Sequence, residues 1–409
     1  MTLTMNSYLR KMYCKITNKK IKTVMNFGKM PMANGFLLKK DFNKEFFYNL
    51  KVGFNEKNFL FQVDNHPRSS QIFNNKYPFF THKSKFMVNH FGKFFNWLQK
   101  NYLKKKSKII EIGSNDGTFL SYFEKKKYDI TGFEPSLNVA KIAKQKGIKV
   151  ISKFFNYKNV SKLKKLQNKV NLICAANVIC HIPNLKDLIK SIDFLLEEKG
   201  FFIFEEPYLG SMFKKVSYDQ VYDAHVFIFS LHSVRSIFNS YGFDLIDALP
   251  QKTHGGSMRY VIARKNIFKV RDIVKKIITK EKASKLHKIS SCIKFKKQCE
   301  NSKKNFKSLI KKLKFNGKRI CGYAASAKST TALNYCGIDN NYIDYVVDST
   351  KEKIGKYTPG THIPIKSPDY FRKNYPDVAI LNSWNHKKEI LKKEYKFKKK
   401  GGRWISHVK

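Results

Sequence analysis

Between residues 86 and 265, short apolar runs alternate with stretches whose apolar residues recur every three or four positions. The runs SKIIEIG, YDITGFE, IKVIS, VNLICAAN and FFIFEEP read as strands. DGTFLSYFEKK, PSLNVAKIAKQKG and NLKDLIKSIDFLLEEKG read as helices, the second with Pro135 and Ser136 at its start and Gly147 at its end. A further helix, SLHSVRSIFNSYG, precedes the strands FDLIDAL and SMRYVIAR. Such alternation predicts a parallel sheet covered by helices, here ending in an antiparallel hairpin.

The pattern changes on both flanks. Residues 1–85 mix short apolar runs with turn residues, as in NFGKMPMANGFL and NFLFQV, and predict a small, irregular, strand-rich module. Residues 266–316 are rich in Lys. Their apolar positions (Ile267, Val270, Val274, Ile277 and Ile278, then Phe306, Leu309, Ile310 and Leu313) fall three and four apart, as in connecting helices with one buried stripe. From 317 to 409 the strand–helix pattern restarts with RICGYAAS, AKSTTALNYCG, IDYVVD and DVAILNS, a second and smaller α/β domain.

Composition narrows the picture. A hydrophobic fraction of 42% with 35 Phe is ample for folded cores. The formal charge is +51, yet only nine of the 81 basic residues are Arg, and Lys is spread along the whole chain. A nucleic-acid reader concentrates its charge and leans on Arg forks, so solvated surface is the expectation and no nucleic-acid partner is expected. The field it creates favours an anionic substrate. The seven Cys, from Cys14 to Cys336, show no disulfide framework, which fits a reducing cytoplasm. No run of about 18 apolar residues occurs, so no membrane partner is expected.

The stretch IIEIGSNDGTFL reads as a strand, a glycine-bearing turn and a helix. A dinucleotide turn needs G-x-G-x-x-G, with a second glycine where the pyrophosphate approaches; here Asn115 holds that place, between Gly113 and Gly117. The phosphate-loop pattern G-x-x-x-x-G-K-[ST] is also absent. Glu134 ends the next strand, where an acid accepts hydrogen bonds from ribose hydroxyls. Glu111, Gly113 and Gly117, followed by Glu134, suit an adenosyl ligand without a pyrophosphate, namely S-adenosylmethionine.

Taken with GKMPMANGF, GFEPS, AANVICHIPNL, EEPYL, SYDQVYDAHVFIFS, THGGSMR, GYAASAKSTTALNYCGI, IDYVVDSTKEKIGKYTPGTHIPI and SWNH, this stretch makes the chain resemble the bacterial three-domain nucleotide-sugar C-methyltransferases, which act on deoxy-keto-sugars. The resemblance implies a class I methyltransferase Rossmann-like central domain, a small N-terminal module and a second Rossmann-like domain at the C-terminal end. It implies an S-adenosylmethionine cofactor held by Glu111, Gly113, Asn115, Gly117, Glu134 and Asn177. It implies methylation of a nucleotide-linked 4-keto-deoxy-sugar through an enolate, in a monomer or weak oligomer. His225 is then the base, Tyr222 the donor to the keto oxygen, and His181 a residue facing the substrate. Tyr77, His254 and Lys328 are the substrate-binding candidates; Lys328 is placed for the diphosphate unless the small residues around it serve close helix packing, and Gly255 and Gly256 either let backbone approach the sugar or make a tight strand connection.

Two departures stand out. Relatives hold zinc on four cysteines in the first module; the corresponding positions here are Cys14, Thr17, Asn55 and Asn58, so no metal is expected. Relatives also read Tyr-Asp-Glu-His where this chain has Tyr222, Asp223, Ala224 and His225. These departures keep open the alternative of a homologue that binds cofactor or sugar without turnover.

Overall fold

The computed structural model describes residues 12–75 and 77–408. Its centre is a seven-stranded sheet. In spatial order the strands are Phe243–Gln251, Ser257–Arg264, Leu196–Pro207, Val170–Ala176, Lys108–Ile112, Asp129–Phe133 and Val150–Ile151. The last five run parallel, and the first two close one edge as an antiparallel hairpin.

Alternate residues of these strands feed two separate cores. Ile110, Ile173, Phe202 and Phe204 pack under the helices Leu185–Leu195 and Leu231–Asn239. Ile109, Leu172, Cys174 and Ile203 pack under Lys85–Asn101 and Leu120–Glu124. Burial on both faces is why these strands read as nearly unbroken apolar runs.

One predicted helix is shorter than its pattern. NLKDLIKSIDFLLEEKG ends as a helix at Leu195, and Leu196 already pairs with Val170. The next pair is Leu172 with Phe201, so Glu197 to Gly200 loop out of the ladder. Glu and Lys favour helix locally, but pairing with the buried strand prevails.

The N-terminal residues form an antiparallel sheet from Lys22–Pro31, Phe47–Asn55 and Leu60–Val63. Its fourth strand comes from far along the chain: Phe227–Ile228 pairs with Phe61 and Gln62. Nor is its apolar face self-contained. Val24, Met25, Phe27 and Val52 share one core with Phe306 and Ile310 of the long helix Ile289–Phe315, and with Ile320, Leu333 and Val346 beyond it. Residues after this helix build an all-parallel five-stranded sheet in the order Ile365–Lys366, Tyr345–Val347, Ile320–Tyr323, Val378–Leu381 and Arg403–Ile405. No described helix is long and apolar enough to cross a membrane.

Cys14, Thr17, Asn55 and Asn58 converge in the first module. Asn58 Nδ2 donates to Cys14 Sγ at 3.4 Å. Burial pushes the Cys14 thiol up, and hydrogen bonds from Thr17, Asn55 and Asn58 outweigh it, leaving its pKa below the ordinary value. One thiol among neutral side chains is a hydrogen-bonded cluster and lacks the donors of a tetrahedral structural site. Elemental analysis of protein purified without chelator should find no stoichiometric zinc; one zinc per chain would refute this.

Candidate active site

The turn after Lys108–Ile112 is built on left-handed residues: Gly113 at φ 69°, Asn115 at φ 48° and Gly117 at φ 74°. At Gly113 the lack of a side chain is required by packing as well, since a Cβ there would lie 2.5 Å from a Val178 methyl. Glu134 braces the turn from the next strand. Its Oε2 accepts from Asn115 N at 3.0 Å and its Oε1 from Ser136 N at 2.8 Å. Burial raises the Glu134 pKa, and the two backbone donors work against that rise.

Below the turn, Glu111 Oε2 is buried without a partner, and so is Asn177 Oδ1. Burial holds the Glu111 pKa well above the carboxylate range, with Asp116 and Glu134 adding to the effect. Buried acceptors without donors are costly. These two fit a ligand that brings an ammonium and hydroxyls, as S-adenosylmethionine does, with Glu134 retaining lone pairs for a ribose.

Of the residues singled out from the sequence, Glu111, Gly113, Asn115, Glu134, Asn177, Tyr77, His181, Tyr222, His225, His254 and Lys328 line one cavity of about 650 Å³, whereas Gly117, Gly255 and Gly256 do not. Gly117 faces the other way: a Cβ there would lie 3.0 Å from Ala143 Cβ, so its place in the motif serves close packing of the helix Leu137–Gln145. Asn115 reaches the cavity, but its side chain is engaged elsewhere: Oδ1 accepts from Thr81 N and Thr81 Oγ1 at 3.0 and 3.1 Å. Gly255 is likewise committed, because a Cβ on it would collide with the Trp384 indole.

The structure brings Tyr222, His225 and His181 together. His225 Nδ1 lies 2.8 Å from Gln220 O. A carbonyl only accepts, so Nδ1 carries the proton and Nε2 offers its lone pair. Tyr222 Oη donates to that lone pair at 2.5 Å. His181 stacks on His225 with ring centroids 5.3 Å apart. Burial drives the His225 pKa well below the ordinary imidazole value, and His181, His254 and Lys328 push the same way. Burial alone takes His181 to about 4. Both rings are therefore neutral near pH 7. Cys180, His181 and His225 offer donor atoms within 4.8 Å of one another, but both His225 nitrogens already have protein partners.

Sequence reasoning missed Glu206. Its Oε1 accepts from the N–H groups of Val178, Ile179 and Cys180, at 2.8, 2.5 and 3.2 Å, and so shapes the turn that carries His181. Burial raises its pKa to about 7. The available signal was the acidic pair in EEPYL, at the C-terminal end of a strand, where ligand sites gather in open α/β sheets. Asp223 was also missed as an anchor: its Oδ2 accepts from Ala33 N at 2.9 Å, across to the first module.

On the opposite wall, Lys328 lies in the first turn of the helix Ala327–Cys336, capped by Ser326. Burial lowers its pKa to about 8 while Asp219 works to raise it. Its Nζ sits 5.3 Å above the Trp384 ring. His254, at φ 50°, is held near a pKa of 3, by burial first and then by Lys328 and His386.

Residues 89–248 match the family described as a methyltransferase domain, and residues 252–408 the family described as the C-methyltransferase C-terminal domain. Over 298 residues the chain is 28% identical to the C-methyltransferase NovU of Streptomyces niveus, covering 73% of this chain and 71% of that protein. Among solved structures, the PH0226 protein of Pyrococcus horikoshii OT3 aligns with 49% of this chain and 100% of its own, at 14% identity and a TM-score of 0.38. The magnesium protoporphyrin IX methyltransferase of Synechocystis PCC 6803, with bound SAM, aligns with 44% of this chain and 79% of its own, at 13% identity and a TM-score of 0.33. The central sheet is the Rossmann-like domain of an S-adenosylmethionine-dependent methyltransferase, with an antiparallel sheet before it and a parallel-sheet domain after it.

Glu134→Gln keeps a carbonyl acceptor for the turn but removes the charge offered to a ribose. Calorimetry should show S-adenosylmethionine binding weakened by about 1.5–3 kcal/mol, the worth of a hydrogen bond to a charged group. Unchanged affinity would put the ribose anchor elsewhere.

Proposed function

We propose, for a chain that is an S-adenosylmethionine-dependent C-methyltransferase, that its acceptor is a nucleotide-linked 4-keto-deoxy-sugar, methylated at the carbon beside the carbonyl through an enolate. The observation that carries this reading is the Tyr222–His225 pair, neutral and buried in the same cavity as the cofactor turn.

Carbon becomes a nucleophile only after it loses a proton, and a neighbouring carbonyl makes that proton acidic. Because Tyr222 Oη occupies the His225 lone pair, the phenol oxygen is the atom nearer the acceptor. It takes the proton from carbon as its own proton passes to His225 Nε2, and the electron pair of the broken C–H bond moves onto the carbonyl oxygen. The imidazolium is held by Gln220 O at Nδ1 and by Tyr222 Oη at Nε2, and through the phenol it offsets the charge of the enolate. Bound S-adenosylmethionine supplies the sulfonium methyl that this carbon takes up. This differs from the role first expected of Tyr222 as donor to the keto oxygen, and it makes His225 the final holder of the proton.

Ala224 is compatible with this scheme, since the Gln220 carbonyl orients His225 without any side chain at position 224. At the other end of the cavity, Lys328 and the N–H groups of its helix suit a diphosphate. His181, Tyr77 and His254 wall the space between, where the sugar ring would lie.

Two measurements test this. His225→Asn should bind S-adenosylhomocysteine as the wild type does, yet lose methyl transfer by about 10²–10⁴-fold. Solvent-deuterium exchange at the acceptor carbon, followed with S-adenosylhomocysteine bound, should fall in parallel; wild-type exchange in the variant would assign the base elsewhere. A wild-type protein that neither exchanges nor methylates any keto-sugar nucleotide would leave the binding-only reading.

The second measurement is a pH profile. A depressed His225 pKa keeps the ring neutral, and able to accept a proton, to lower pH than a free imidazole. The acid limb of kcat/KM should therefore lie below about pH 6.5, the unperturbed imidazole value. An acid limb at or above that value would contradict it.

A further inference from the structure

Asn115 and Asp116 sit in the cofactor turn, but their side chains point at a strap, residues 77–84, that crosses the cavity mouth. Asn115 Oδ1 takes Thr81 N and Oγ1, and its Nδ2 donates to Phe79 O at 3.1 Å. Asp116 Oδ2 accepts from His82 N at 2.9 Å and lies 2.7 Å from His82 Nδ1. Asn138 Nδ2 adds a bond to Tyr77 O at 2.8 Å. All these tethers come from the cofactor-binding half of the central domain.

Beyond these bonds the strap is anchored at its end by Ser84, the cap of the helix Lys85–Asn101, and at its middle by the buried Thr81. Phe79 is 48% exposed. The contact of Lys83 with the last domain is a 3.3 Å pair with Glu352, both about half exposed, and exposed pairs are worth little. Only Thr81–Lys83 forms a helical turn, of three residues. Docking thus depends on where the Asn115 and Asp116 side chains are, and Glu134 fixes the backbone of Asn115 through its Oε2.

The strap matters to the other ligand. Tyr77 lies beside Phe73, with ring centroids 5.5 Å apart, and Phe73 stacks on His181 at 5.4 Å. Tyr77 and Lys83 both line the cavity. We infer that Asn115 and Asp116 are positioning residues that couple the two ligands: cofactor on Glu134 fixes the turn, the turn docks the strap, and the docked strap completes the acceptor site. Because the coupling is a shared free energy, each ligand tightens the other by the same factor. This rests on the cofactor assignment and holds for whatever acceptor the cavity takes.

Hydrogen–deuterium exchange on the full chain, with and without saturating S-adenosylhomocysteine, tests it. In the wild type the amides of residues 77–84 should exchange about tenfold more slowly with ligand, a coupling of the usual size. Thr81→Ala/His82→Ala removes two tethers from the strap side and leaves the turn intact. That variant should bind S-adenosylhomocysteine up to about tenfold more weakly by calorimetry, the same coupling read from the ligand's side, while losing much of the ligand-dependent protection of the strap. Equal protection of the wild-type strap with and without ligand would overturn the proposal, with no variant needed. So would full ligand-dependent protection in the double variant.

Discussion

The pairing of Phe227–Ile228 with Phe61 and Gln62 is the constraint on which the site depends. It ties two points more than 160 residues apart, and a two-residue strand cannot by itself offset the closure of so long a loop. It is held because the preceding residues are pinned from both sides. Asp223 takes Ala33 N from the first module, Thr331 Oγ1 donates to Val221 O at 2.9 Å, and Trp384 Nε1 donates to Asp219 Oδ2 at 2.7 Å. His225 sits two residues before the strand begins. Its position is set by three parts of the chain, none of which supplies the whole cavity.

Around the Tyr222–His225 pair, charge is held down. His181, His225 and His254 are kept neutral, and Glu111 and Glu206 are pushed toward their neutral forms, by burial above all. Lys328 lines the cavity and is opposed by the buried Asp219, while Glu134, Asp187, Lys83 and Lys353 line it as well. Fixed charges and dipoles act strongly in such surroundings because little water screens them. The site is organised to meet charge that appears during reaction, and around the pair its resting state carries little of its own.

Much of this was legible in the chain. The alternation of apolar runs and helical stripes from 86 to 265 led to a parallel sheet, and the terminal hairpin followed from FDLIDAL and SMRYVIAR. What escaped is long-range in origin. The helix ending at Leu195 was read too long because only pairing with Val170 reveals the strand there. A two-residue strand at Phe227 carries no periodicity at all. Gly117 and Gly255 read as room for a ligand, whereas Ala143 and Trp384 fill that room. Glu206 lacked a motif of its own, and its importance lies in three backbone donors from a distant turn.

The shared core of the first module bears on how the chain is made. Residues 22–63 leave the ribosome before the partners of their apolar face, since Phe306, Leu333 and Val346 are translated some 250–320 residues after Val52 and Val24. At about 5–20 residues per second that is a wait of roughly 15–60 s. Throughout it Val24, Phe27 and Val52 lack the far half of their core. Vectorial synthesis therefore places the aggregation hazard of this chain at its beginning, where the dense positive charge on the nascent segment is the available protection.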